Sequence, residues 1–342
     1  MKKAVILFNL GGPDKLENVE PFLFNLFNDP AILNLPGIIR YPLAKFIANR
    51  RAPVAKKIYE ELGGSSPILK LTINQSEELE KKLNQNNSLD EYKCFIVMRC
   101  WHPRAKKVVN EVRSFNPEEI ILLPLYPQFS ASTSASSIRE WENICKINNY
   151  KIKTSTICCY PTDDNFIKAH AVEINKKING IDNYKLIFSA HGLPEKNIKK
   201  GDPYQWQVEQ TVNEIVKYLN IQNLDWILSY QSRVGPLKWI GPSTDNVIIK
   251  NSKLGKQLII VPVAFVSEHS ETLVELDIEY KKLALDNGCI KYIRVPALGV
   301  NDTFIESLSN LIINKDKNQF NGKIFPPINK CPSNFIKCPC QR

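Results

Sequence analysis

The stretch VPVAFVSEHSETLVELDIEY, residues 261–280, decides how the rest of the chain is read. Its front end belongs to an apolar run over 257–266, the composition of a strand buried on both faces. A polar knot, Ser267-Glu268-His269-Ser270, ends the run, and a helical pattern follows with Glu271, Glu275 and Glu279 four residues apart. Steps of four advance only about 40° around an α-helix, so the three carboxylates share one face. Like charges at that spacing cost a few tenths of a kcal/mol per pair, a cost that a bound cation offsets. Ser267 or Ser270 is suited to cap the helix, with Glu271 in the first turn where the dipole favours a negative charge. A solvated acidic face is the plain alternative. The position argues against it, because open α/β sheets bind ligands outside the carboxyl ends of their strands. A His two residues from a Glu at such a point suits a metal site or an acid–base pair.

Working outward, strand-like runs recur at 3–9, 94–98, 120–125, 152–158, 185–189, 226–230, 257–266 and 292–295. Amphipathic helical patterns lie between most of them, at 20–27, 55–62, 76–83, 105–115, 166–178, 205–219 and 271–287. Strands alternating with helices imply parallel sheets with helices on both faces. Four strands fall in each half, which favours two doubly wound four-stranded domains over one eight-stranded sheet. The division predicted is 1–160, then 161–325 closing with a helix over 301–313, then a Pro- and Cys-rich tail over 326–342.

The 342 residues are 43% hydrophobic and 23% charged, a composition that can bury a core. No apolar run is long enough to cross a membrane as a helix. The opening MKKAVILFNLGG is too short an apolar stretch for a signal peptide, and it reads as a first buried strand. Net charge is +10, from 45 basic and 35 acidic residues, but the lysines are scattered without interleaved aromatics. That argues against nucleic acid as a partner, while leaving anionic lipid or an anionic substrate open. Nine cysteines, an odd number without a secretion signal, point to a reducing, cytoplasmic setting and not to a disulfide framework.

Chemistry is limited by four histidines. His191 follows LIFSA and precedes Gly192-Leu193-Pro194, so it stands at the carboxyl end of a buried strand, as His269 does after its own. Two such histidines in one domain can converge on one cleft, and a neutral imidazole accepts a proton or binds a metal. His170 lies in a polar helical pattern and is expected on a solvated face; His102, in Trp101-His102-Pro103, is structural or lines the cleft. No GxGxxG, P-loop or GxSxG occurs, which removes dinucleotide enzymes, P-loop NTPases and elbow-type serine hydrolases. Arg51, Tyr59 and the turn Gly63-Gly64-Ser65-Ser66 offer groups that could hold carboxylates by charge-assisted hydrogen bonds.

Seven motifs in order make a pattern: LFNLGGP at 7–13, RRAPVAKKIYEELGGSSP at 50–67, MRCWHP at 98–103, LPLYPQFSASTSASS at 123–137, FSAHGLP at 188–194, YQSRVGPLKWIGPSTD at 230–245 and VSEHSETLVELDIEY at 266–280. With them the chain resembles the ferrochelatases, which insert ferrous iron into a porphyrin to make haem. The resemblance implies two Rossmann-like domains with a porphyrin cleft between them. It implies metal and proton handling by His191 and Glu271, with His269 beside them, and a carboxylate row continued by Glu275 and Glu279. Arg51, Tyr59 and Ser66 match positions that hold the porphyrin, and Trp239 matches an aromatic near the macrocycle. The substrates implied are protoporphyrin IX and Fe²⁺, with a cytoplasmic location and peripheral contact with the inner membrane, since substrate and product are poorly soluble. Alternatives are a chelatase for another tetrapyrrole or metal, such as coproporphyrin III or cobalt, and a non-catalytic haem- or iron-binding protein. The chain departs from the family where Cys100 follows Arg99 in place of Tyr, and where Ala131 replaces the cluster cysteine of animal members.

The tail carries Cys331, Cys338 and Cys340, one ligand short of a four-thiolate site. Cys158 or Cys159 can supply the fourth. Some bacterial ferrochelatases hold a [2Fe–2S] cluster with three such cysteines and one internal one, so the resemblance implies a cluster here on Cys158, Cys331, Cys338 and Cys340. A zinc site with the same thiols, or unligated thiols, are the alternatives.

Overall fold

The computed structural model describes residues 1–85, 89–233, 235, 237–314, 319–320, 323–324 and 331–339. By contacts the chain forms two units, Met1–Cys158 with Leu308–Phe325, and Cys159–Ser307 with Pro326–Arg342.

In the first unit β1 (Lys2–Asn9), β2 (Glu91–Met98), β3 (Glu119–Pro124) and β4 (Lys153–Ile157) form a parallel sheet in the order β2-β1-β3-β4. Ala4 to Phe8 are fully buried, which is why this central strand is an unbroken apolar run. One face is covered by α4 (Ala105–Phe115) and α5 (Ser134–Ile147), whose Val108, Val109, Val112 and Trp141 pack on Ile6, Phe8 and Leu122. Each fully buried side chain of that size contributes roughly 1.5–3 kcal/mol. Elsewhere α1 (Val19–Phe27) and α2 (Gly37–Glu60) share a second core of Val19, Phe22, Ala48, Ala52 and Trp101, and α3 (Ile68–Gln85) precedes β2.

The second unit has α6 (Asp164–Ile178), β5 (Tyr184–His191), α7 (Glu195–Lys199), α8 (Tyr204–Leu219), β6 (Trp226–Gln231), α9 (Thr244–Lys253) and β7 (Gln257–Pro262). A π-helix (Glu271–Glu279) runs into α10 (Tyr280–Asp286), followed by β8 (Tyr292–Arg294) and α11 (Asp302–Ile313). Its sheet is again parallel, in the order β6-β5-β7-β8. Asp163 caps α6, accepting from the Phe166 N–H at 3.0 Å.

The eight anticipated strands and the two four-stranded parallel sheets are therefore present. Several details differ. The first sheet gains two short strands after α11: β10 (Lys323–Ile324) runs parallel to β4, and β9 (Gln319–Phe320) pairs antiparallel with β10. For that reason 308–325 joins the first unit, although the sequence reading gave it to the second domain, and the segment from Pro326 joins the second unit. The helix in front of Tyr59 begins at Gly37 and contains Pro42 and Pro53, each of which removes a backbone donor and masks the helical signal. His170 is not solvated: it is 1% exposed, with its ring edge-on to Phe166 one turn earlier on the inner face of α6. The acidic segment after His269 is a π-helix and not an α-helix.

Candidate active site

Parallel register sets the site. His191 closes β5 and pairs with Gln231, the last residue of β6, so both stand at the carboxyl edge of the sheet. The chain leaving neighbouring β7 carries His269 and then the π-helix, which brings Glu271 and Glu275 to the same edge. A π-helix advances less per residue than an α-helix, so steps of four fall just short of a full turn and still leave carboxylates on one side.

His191 Nδ1 and Glu271 Oε2 are 2.7 Å apart, which leaves His191 Nε2 for another partner. Burial works to lower the pKa of His191, but the charge and hydrogen bond of Glu271, helped by Glu275, override it, and the pKa is raised. Burial likewise works to raise that of Glu271, but His191, His269 and the Ser232 hydroxyl take it down to about 2. The imidazole is therefore a stronger base than a free histidine, held beside a permanent anion; the sequence reading, with an ordinary imidazole, missed this. His269 plays a different part. Its Nδ1 accepts the backbone N–H of Glu271 at 3.0 Å, and burial keeps its pKa low despite Glu271 and Glu268. A neutral ring used as an acceptor holds the first turn of the π-helix in place.

Glu275 is the most heavily bonded group in the site. Its Oε1 accepts from the Ser232 N–H (2.8 Å) and the Tyr280 hydroxyl (3.0 Å); its Oε2 lies 3.0 Å from Gln231 Nε2 and 2.6 Å from Ser232 Oγ. Burial and the Glu271 charge raise its pKa in spite of these donors. Ser232 Oγ is also 3.2 Å from Glu271 Oε2. One hydroxyl proton cannot serve two carboxylates, so both contacts are hydrogen bonds only when one carboxyl is protonated. Burial and the Glu271 charge make Glu275 the easier of the two to protonate, while Glu271 is held as the anion by His191, whose Nδ1–H donates to it. Ser232 thereby links the two carboxyl groups in a row that ends at His191. Ser232 adopts a left-handed backbone, φ 60°, to make both contacts.

Supports lie behind these groups. Ser189 Oγ donates to Gln231 Oε1 (2.7 Å), which orients its amide toward the Glu271 carbonyl and Glu275. Arg294 forks onto Asp277 at 2.6 and 2.8 Å and reaches Glu268 at 2.8 Å, tying the π-helix to the loop before His269. Ser232, Gln231, Tyr280 and Arg294 were missed in the sequence. The signal available for the first two was their place at the end of β6, the same that marked His191.

Of the other anticipated residues, Glu279 is exposed at the end of the π-helix. Trp239 bridges to Pro194, and its Nε1 is buried without a hydrogen-bond partner among the described residues. In the first unit Tyr59 is buried, Arg51 stacks 5.8 Å above Phe27, and Ser66 packs so close to Gly12 that a Cβ there would lie 2.4 Å from its Oγ. His102 is exposed, edge-on to Trp101.

Among the described residues no three His, Cys, Asp or Glu side chains are arranged to hold a metal ion. Cys340 lies outside the described residues. Cys331 and Cys338 are buried and hydrogen-bonded thiol to thiol. The buried Gln207 of α8 directs Nε2 at Cys331 Sγ (3.2 Å) and at Cys159 Sγ (3.4 Å), so two thiols distant in sequence lie around one amide nitrogen. Cys158 is buried next to Cys159.

A ferrochelatase family profile matches residues 2–316. The chain is 74% identical over 340 residues to the ferrochelatase of Pelagibacter ubique (strain HTCC1062), covering 99% of each. It is 49% identical over 350 residues to that of Rickettsia felis, covering all of this chain and 99% of the relative. Among solved structures, SirB from Bacillus subtilis with Fe³⁺ superposes with a TM-score of 0.57 at 12% identity, covering 94% of this chain and 99% of that one, a likeness of fold. The order of motifs, the strand-end His and Glu and these relatives lead to one conclusion: the chain belongs to the ferrochelatase family.

Proposed function

We propose that this protein inserts Fe²⁺ into protoporphyrin IX to form protohaem, the last step of haem synthesis, with His191 as the proton acceptor. The observation that carries the assignment is the 2.7 Å His191–Glu271 pair at the carboxyl edge of the second sheet. Two pyrrole protons must leave as the metal enters. His191 Nε2 takes a proton when neutral, and Glu271 stabilises the imidazolium that results. Glu271 also balances the charge of the incoming cation. Glu275 and Ser232 carry the proton onward, with Glu279 at the exposed end of the row. Arg51, Tyr59 and Ser66 hold the porphyrin through its propionates, and Trp239 packs on the macrocycle, its unpartnered N–H free to meet a polar edge.

The test is anaerobic Fe²⁺ insertion followed by loss of porphyrin fluorescence. Turnover in the wild type and near-silence in His191→Ala supports the assignment. Coproporphyrin III turned over in preference to protoporphyrin IX would move the substrate, and haem binding without insertion would make the protein a carrier.

Two further parts belong to this reading. The resemblance implies a [2Fe–2S] cluster held by Cys331, Cys338, Cys340 and one of Cys158 and Cys159, although among the described residues no three thiols are arranged to hold a metal ion. What supports it is the buried Gln207 amide directed at the sulfurs of Cys159 and Cys331. When bound, such a cluster supplies one-electron chemistry and ties the tail to α8. The location proposed is cytoplasmic, in peripheral contact with the membrane. Among the described residues no helix is long and apolar enough to cross a membrane. Ile38, Ile39, Tyr41 and Phe46 of α2 are nevertheless all more than half exposed, beside Arg40 and Lys45. Apolar groups among cations suit an anionic lipid surface, and co-sedimentation with anionic but not neutral vesicles tests it.

A further inference from the structure

A recess of about 330 Å³ in the second unit shares no lining residue with the insertion site. Glu209, Val212 and Asn213 of α8 form one wall, since positions three and four apart share a helix face. Trp226, Leu228 and Tyr230 of β6 form the other, since alternate strand residues point to one side. The rim at Pro242 is fixed to the same strand, its carbonyl accepting the Tyr230 N–H at 2.9 Å. Tyr230 is 1% exposed, and its hydroxyl has no hydrogen-bond partner among the described residues. Burial pushes the phenol pKa up and the charge of Glu209, in the facing wall, pushes it further, so the hydroxyl keeps its proton. A buried hydroxyl left unpaired is unfavourable, and a polar atom of a bound molecule removes that cost.

The chemistry of the walls selects the ligand. No Lys, Arg or His is among the described residues that line the recess, so its charge is that of Glu209. The Glu209 carboxylate, the Asn213 amide oxygen and the Tyr230 oxygen can all accept a hydrogen bond from a cation. A single carboxylate is too few for a divalent metal, which gathers several oxygen ligands. The rest of the lining, Val212, Leu228 and the Trp226 ring, suits hydrocarbon, and an indole face attracts an organic cation. We propose that this recess binds a small organic ammonium ion, a primary amine on a hydrocarbon body, with its nitrogen between Glu209 and the Tyr230 hydroxyl and its body against Trp226. The volume lies at the low end of the range for ligand pockets, which limits the ligand to a small molecule. Tyr230 directly precedes Gln231, whose amide holds Glu275, so the ligand sits on the strand that enters the insertion site. The inference stands apart from the function proposed above.

The experiment titrates the full chain by calorimetry with two probe amines, phenethylamine and cyclohexylmethylamine, and with their nearly isosteric alcohols, 2-phenylethanol and cyclohexylmethanol. The variants are Glu209→Gln and Tyr230→Phe. The indole N–H signal of Trp226, assigned by its loss in Trp226→Phe, is followed by nitrogen-15 NMR to locate the ligand. At least one amine should bind, roughly tenfold or more tighter than its alcohol, and should move the Trp226 signal. Glu209→Gln should weaken the amine about tenfold and Tyr230→Phe about threefold to tenfold, each leaving the alcohols little changed. Tyr230→Phe should melt no lower than wild type, because its hydroxyl has no partner to lose among the described residues. Neither amine binding at millimolar concentration, an alcohol binding as tightly as its amine, an unmoved Trp226 signal, or an amine affinity unchanged in either variant overturns the inference.

Discussion

Ser232 holds Glu275 twice, by its backbone N–H at 2.8 Å and its hydroxyl at 2.6 Å, and it does so from a left-handed backbone that serine seldom adopts. Strain of order 1–3 kcal/mol kept next to two carboxylates is a mark of function. Ser232→Gly removes the hydroxyl and relieves the backbone. Its melting temperature should stay at or above that of wild type, while kcat for Fe²⁺ insertion falls about 10–100-fold. Stopped-flow insertion assays check this, and an unchanged kcat removes the hydroxyl from the relay.

The His191 imidazole should titrate above an ordinary histidine because Glu271 outweighs burial. In Glu271→Gln the charge is gone and burial dominates, so the pKa should drop below the wild-type value. Nitrogen-15 NMR of labelled imidazoles measures both. The same logic gives the sign of the rate profile: insertion by wild type rises with pH through the His191 pKa, as the ring becomes neutral and able to accept. His191→Ala should lose about 10²–10⁴-fold and that rising limb with it.

Gly12 has Ser66 where a side chain would go, 2.4 Å from its Oγ. Gly12→Ala must push Ser66 away. If Ser66 binds porphyrin, KM should rise several-fold with kcat little changed. Steady-state kinetics at varied porphyrin separate the two constants, and an unchanged KM argues that Ser66 only closes the turn.

His170 is buried and its pKa is pulled down to about 3 by desolvation. The unfolded chain takes up a proton there from about pH 6.5 downward and the folded chain does not. Stability therefore falls as pH drops through that window, by about 1.4 kcal/mol per unit once below pH 6.5. Urea titrations at pH 6.5 and 5 should show a loss about 2 kcal/mol larger in wild type than in His170→Leu.

Gly201 has a left-handed φ of 84°, and a Cβ on it would lie 2.7 Å from the Ile336 side chain and 2.9 Å from the Ile336 nitrogen. Gly201→Ala should lift the tail from α8. Limited proteolysis should then cut near Ile336, and unchanged cleavage argues that the tail is held by other contacts.

Strand runs were legible because parallel strands buried on both faces, such as Ala4 to Phe8, leave no polar positions to confuse them. His191 and Glu271 were legible for the complementary reason, as polar residues directly after such runs. The π-helix was not, since its glutamates at steps of four fit an α-helix as well. Ser232 carried only its place at the end of β6; its importance comes from a backbone angle. His170 read as solvated because its neighbours in sequence are polar, while its partner Phe166 is one turn away in space. Gln207 is one polar residue among several on α8, and only tertiary folding places it between Cys159 and Cys331.

The seating of the tail beside α8 also fixes a time order in the making of the protein. A ribosome delivers Gly201, Trp206 and Gln207 well before Cys331, Phe335 and Lys337, so the Gln207 amide finds Cys331 only after the strands of the second sheet have been made. Docking of the tail is thus a late step that follows the folding of the unit it closes on.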